Sequence, residues 1–226
     1  MQANTDGLVV NVTRNPGGII EYGHSLAEYF VTAPRGAAGF QLRATANRVS
    51  SLGNQVASLR AQGAPAWAIT LFQNVLTDVK TAFQENRGHT GTLPLDRPYL
   101  DIYPAVDQNG NQTVYTKPMI VLIDEFSVST ADLFPAVLQD AGRAKIVGYR
   151  SGGLGGTNGS FYSGVYSETT SGVTFGLTVR PKAISSDGFP YYAVHRKRRR
   201  ASRYRTRLYD DRELTAIRSS FRERFH

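Results

Sequence analysis

At 226 residues, with 41% apolar and 19% charged side chains, the chain can bury a sizeable core and is too apolar for a disordered polyelectrolyte. It has no cysteine, which excludes disulfides and thiolate metal sites, and no apolar run is long enough for a membrane-spanning helix. The net charge of +8 comes from the end of the chain: residues 195–226 hold 12 of the 26 Lys+Arg and 4 of the 18 Asp+Glu, leaving the first 194 neutral.

The opening MQANTDGLVV lacks the basic region and long apolar core of a secretory signal, and the compartment stays open. Gly7–Val12 (GLVVNV) is a β-branched run between turn formers and predicts a buried strand. Arg14-Asn15-Pro16-Gly17-Gly18 predicts a turn, and Ile19–Phe30 a helix. Between Arg43 and Arg87 the period changes. Val49, Leu52, Val56 and Leu59 recur at helical spacing, as do Phe72, Leu76, Val79 and Phe83, around a break at Gly63-Ala64-Pro65. A helical hairpin follows, with residues 50–59 and 67–83 turning their apolar stripes to each other or to the body.

Gly88–Thr116 reads as a long loop with a short strand near Tyr99–Tyr103. Met119–Ile123 predicts another buried strand, then a polar turn, a helix opening at Ser129, a strand at Lys145–Gly148 and a glycine-rich loop, Ser151–Gly156. Phe161–Tyr166 and Val173–Val179 are predicted as further strands, with Ser171-Gly172 as the turn. Strands alternating with helices predict an α/β body carrying a helical insertion at about 43–87.

Ser129 stands at the mouth of a strand–turn–helix with glycines nearby, an arrangement able to offer a nucleophile and a hole for an oxyanion. The same residues have plainer readings. Ser129 with Asp132 resembles a capping box, and Gly17-Gly18 suits any tight turn.

GLVVNVTRNPGG followed by KPMIVLIDEFSVSTADLFPAVLQDAGRAKIVG resembles the serine peptidases of the tail-specific, or C-terminal processing, protease family. The likeness covers most of residues 5–190. It implies a ClpP/crotonase-like α/β fold, a polypeptide substrate and no cofactor or metal, and it leaves oligomerisation open. By position it puts the family's nucleophile on Ser129, whose Oγ would form an acyl-enzyme. The oxyanion hole falls on the backbone N–H groups of Thr130 and Gly17. Losing one such donor typically costs about 3 kcal/mol of transition-state stabilisation.

The resemblance gives no general base. Leu154 stands where many members carry a lysine, and Lys145 reads as a solvated charge at a strand start. In the branch with a Ser–His–Glu arrangement, the histidine comes from upstream of the NPGG strand. His24 and His89 read as surface histidines, and Asn11 replaces the usual aspartate. The expectation is an incomplete catalytic domain over 1–194, with little or no proteolysis by this chain alone.

The family's glutamate belongs near the end, where HRKRRRASRYRTRLYD begins at His195. One encoding of that stretch, read a base further on, gives IENVGVHPDIELDYM, the ending the family shows. The tail after about Val194 therefore reads first as an out-of-frame translation. The alternatives are an inert basic tail and, last, a nucleic-acid-binding arm through Arg196–Arg207.

Overall fold

The computed structural model describes residues 2–94, 96–162, 164, 168–186 and 189–194. The basic tail from His195, with both its out-of-frame and nucleic-acid readings, lies outside the described residues. The elements are, in order, β1 (Leu8–Asn11), α1 (Ile20–Glu28), β2 (Arg35–Gly36), β3 (Gly39–Leu42), α2 (Ala46–Ala61) and α3 (Ala66–Gln84). After them come β4 (Asp101–Ile102), β5 (Met119–Ile123), α4 (Thr130–Asp140), β6 (Lys145–Gly148), β7 (Gly156–Tyr162), β8 (Thr170–Ser186) and β9 (Phe189–Val194). This is the α/β architecture expected, helical hairpin included.

Three strands form a parallel sheet in the order β1-β5-β6, with Val10 beside Val121 and Val121 beside Ile146. All three run the same way, so their C-terminal ends and the loops that follow gather at one edge. In open parallel sheets that edge is where sites are built. Helices α1 and α4 pack together and against this sheet. Val12, Ala27, Val31, Val121, Phe134 and Leu138 share that core.

A second, antiparallel sheet has the order β3-β8-β7, with β9 also on β8. The hairpin of α2 and α3 packs on it through Phe40, Leu42, Leu52, Leu71, Val75 and Val79. The buried face of α3 is Leu71, Val75, Val79 and Ala82. It is offset by one residue from the predicted stripe: Phe72 and Leu76 flank it, and Phe83 is exposed. Both series have helical spacing, and only the wall formed by Phe40 and Leu93 distinguishes them.

Two turn and strand expectations are corrected. The strand predicted at Phe161–Tyr166 begins earlier, at Gly156, inside the glycine loop. Ser171-Gly172 is not a turn but lies within β8, paired with Phe161 and Ser160 of β7. A long antiparallel ladder can carry small polar residues because the pairing of its neighbours fixes their backbone.

Candidate active site at the C-terminal edge of the parallel sheet

Three loops meet beyond the C-terminal ends of β1, β5 and β6. The β1–α1 turn carries Gly17 and Gly18, the β5–α4 turn carries Ser127 and Ser129, and the loop before β7 carries Ser151 and Gly152. Backbone bonds tie them together. The Val128 N–H donates to the Asn15 carbonyl at 3.1 Å, and the Gly152 N–H to the Ser127 carbonyl at 2.9 Å.

Ser127 is the buried anchor of this junction, with no exposed surface. Its Oγ accepts the Asp124 N–H at 3.0 Å, and its proton lies between the Val12 carbonyl at 2.7 Å and Asp124 Oδ1 at 3.1 Å. Asp124 Oδ1 also accepts the N–H groups of Arg14 (2.9 Å) and Phe126 (3.1 Å). Desolvation pushes the Asp124 carboxyl upward, but these donors outweigh it and hold the group below the usual carboxylate range. Sequence reading overlooked Ser127; the buried hydroxyl that pins two strand ends is the first serine of the Ser127-Val128-Ser129 pair.

Ser129 is half-buried, with φ 57° and ψ −124°. For a residue with a side chain this is a strained conformation, costing on the order of 1–3 kcal/mol, and such residues cluster where function holds them. A serine on a sharp strand-to-helix turn presents its hydroxyl outward from the sheet edge. The capping expectation is corrected here: the Ser129 side chain makes no cap hydrogen bond. Its carbonyl still opens α4 by accepting the N–H groups of Asp132 and Leu133. Asp132, the other half of the expected capping box, accepts the hydroxyl of Ser151. A positive φ at Ser129 turns its side chain off the helix axis, so the capping geometry cannot form.

Helix α4 therefore begins with an uncapped end. Among the described residues, the N–H of Thr130 donates to no acceptor, as expected for the first position of a helix. The Thr130 hydroxyl donates to the Gly18 carbonyl at 2.8 Å and fixes the turn over the helix end. Gly17, at φ 92°, lies against this point. A Cβ on it would stand 2.6 Å from Ser129 Cβ, 2.6 Å from the Val128 oxygen and 2.9 Å from Thr130 N. Only glycine fits there. The Gly17 N–H donates to Asn15 Oδ1 at 2.8 Å, while the Gly18 N–H has no acceptor among the described residues.

The remaining sequence candidates lie elsewhere. Lys145 is exposed and pairs with Ile120, at the end of β6 away from the site, whose near end is Gly148 beside Ile123. Leu154 is exposed on the glycine loop, and His89 is exposed after α3. Asn11 is spent on the Thr13 N–H and hydroxyl. His24 is not the surface histidine expected: it is 1% exposed, with Nδ1 2.6 Å from Asp96 Oδ2. Asp96 also meets Arg97, which in turn reaches Glu28 at 2.8 Å. Burial alone would raise the Asp96 carboxyl, but His24 and Arg97 together hold it below its ordinary value. Among the described residues no side chain hydrogen-bonds the Ser129 hydroxyl, and no cluster of three or more His, Asp or Glu is placed to hold a metal. Nor is any helix among them long and apolar enough to cross a membrane.

A family model described as peptidase family S41 matches residues 1–181. A curated protein of Chlamydia trachomatis is 30% identical over 179 residues, covering 68% of this chain and 28% of its own length. One of Chlamydia pneumoniae is 27% identical over 173 residues, covering 69% and 27%. The chain thus spans less than a third of the curated relatives it matches. The crystal structure of mature CPAF has the same fold, with a TM-score of 0.62 at 24% identity over 80% of this chain and 37% of that one.

Proposed function

The chain belongs to peptidase family S41, and from that premise we propose that it hydrolyses peptide bonds through an acyl-enzyme formed on Ser129. The Ser129 Oγ attacks the scissile carbonyl carbon, and the carbonyl oxygen takes the negative charge of the tetrahedral intermediate. Thr130 N–H, at the positive end of α4, receives that oxygen. Gly17 N–H joins it by exchanging its bond to Asn15 Oδ1 for the stronger bond to an anion. Collapse of the intermediate breaks the C–N bond as the proton released from the Ser129 hydroxyl reaches the leaving nitrogen. Water then hydrolyses the ester, giving its OH to the acyl carbon and a proton back to Ser129 Oγ.

The reading is carried by one observation: a strained serine without a capping bond, at an open helix end, in van der Waals contact range of a glycine that no other residue can replace. No base is assigned among the described residues. Reaction with a fluorophosphonate, mapped by mass spectrometry, tests the proposal. An adduct on Ser129 that disappears in Ser129→Ala supports it. No adduct, with polypeptide binding retained, favours a non-catalytic binding module on this fold.

A further inference from the structure

Away from this site, a cavity of about 310 Å³ lies between the first turn of α2 and the face of β7 and β8. Arg43, Arg48, Ser51, Ser160 and Phe175 line it. Its charge is one-sided. Residues 29–77 contain four arginines and no Asp or Glu, and on the opposite wall no acid occurs between Asp140 and Glu168 or between Glu168 and Asp187.

Arg48 lies flat over Phe175, its Cζ 3.3 Å from the ring centroid. Its Nε is buried without a hydrogen-bond partner, and neither Arg43 nor Arg48 forms an ion pair among the described residues. Burial lowers the Arg48 guanidinium from its ordinary value. Other partly or wholly buried arginines among the described residues are better matched. Arg97 and Arg180 hold carboxylates, and Arg143, whose Nε is also unpartnered, donates through its Nη2 to the Tyr115 and Lys117 carbonyls. A partly buried guanidinium with no counter-ion is costly unless a ligand supplies one. Planar guanidinium donors match carboxylate oxygens in pairs.

The wall of the cavity also connects it to Ser129. β7 contributes Gly159 and Ser160, and it starts just after the loop whose Gly152 packs on Val128. From Gly156 to Gly159 is roughly 10 Å of extended chain. Among the described residues β7 pairs only with β8, so its other edge is open to an added strand.

We propose that the Arg43–Arg48 cavity is an exosite for an acidic side chain of an extended polypeptide substrate that runs along β7. That the bound peptide is a substrate rests on the proposed peptidase function; the carboxylate site itself does not.

The test uses the full chain carrying Ser129→Ala, so that nothing is consumed. A fluorescein-labelled peptide with one Glu-Asp pair among Gly, Ser and Thr is compared with its Gln-Asn twin by fluorescence anisotropy. The acidic peptide is expected to bind about tenfold tighter, as for a charge-assisted pair. Arg43→Gln and Arg48→Met should each bring it close to its twin, and 0.5 M salt should do the same. Arg48→Met could disturb the Phe175 stack, so Arg43→Gln, at an exposed position, decides the matter with circular dichroism as the check on folding. Equal binding of the two peptides overturns the proposal. So does an Arg43→Gln variant that keeps the preference, or inorganic phosphate that displaces the peptide at lower concentration than the peptide itself requires. A fluorophosphonate adduct on Ser129 without an acidic preference sinks the exosite alone; the preference without an adduct sinks the acyl-enzyme alone.

Discussion

Gly17 and Ser129 are 112 positions apart in sequence, and a methyl group on the first would stand 2.6 Å from the Cβ of the second. That contact sets the dimensions of the candidate site. It brings the β1–α1 turn over the start of α4, where a Cβ on Gly17 would also stand 2.9 Å from Thr130 N. The bond from Thr130 Oγ1 to the Gly18 carbonyl holds the two pieces in that relation.

Gly17→Ala should therefore damage the site and the fold together. The added methyl meets Val128 oxygen at 2.6 Å, and the φ of 92° is strained for alanine. A loss of about 1–3 kcal/mol in unfolding free energy is expected, with fluorophosphonate labelling of Ser129 abolished. Chemical denaturation and mass spectrometry measure the two effects. An alanine variant of unchanged stability and labelling would show that the turn moves freely.

Ser127→Ala separates stability from chemistry. It removes the buried hydroxyl that holds the Val12 carbonyl and the Asp124 N–H. The expected cost is about 1–3 kcal/mol, or a fall in Tm of several degrees for a chain of this size. Differential scanning calorimetry reads it directly.

Acid sensitivity should follow Asp96. Its carboxyl is held below the ordinary value by His24 and Arg97. The stability it contributes is complete above the unfolded-state carboxylate pKa and is lost as pH falls through the lower, folded-state value. Asp96→Asn should lower stability at neutral pH and flatten the acid limb of a stability–pH profile. A parallel profile, merely shifted down, would mean that the carboxylate charge plays no part.

The parallel core and the strand–turn–helix at Ser129 were legible because they are continuous apolar runs bounded by turn formers. β3 was missed because GFQL is too short to show a period; its burial comes from the hairpin above it. The His24–Asp96 pair joins residues 72 apart, and nothing local in either segment announces it. The same holds for Ser129: its residue type suggested a cap, whereas its positive φ is imposed by the Val128–Asn15 bond and by the close approach of Gly17. The glycine pair was the visible half of that relationship. The two sides of the Arg43–Arg48 cavity lie more than 100 residues apart, so its lack of acids emerges only once they are brought together.

The composition break at His195 has its own test. DNA sequencing through codons 185–200 is expected to show codons at and after His195 that, read one base on, give the acidic start Ile-Glu-Asn-Val-Gly in place of the basic run. Codons incompatible with that ending would make the basic tail a native feature.

A crystal structure of the chain with a peptide boronic acid tests the proposed reaction at Ser129 most directly. A covalent bond from Ser129 Oγ to boron is expected, with one boronate oxygen about 2.7–3.1 Å from the N–H groups of Thr130 and Gly17. A boronate attached to another residue, or one on Ser129 whose oxygens meet neither amide, would contradict that reaction.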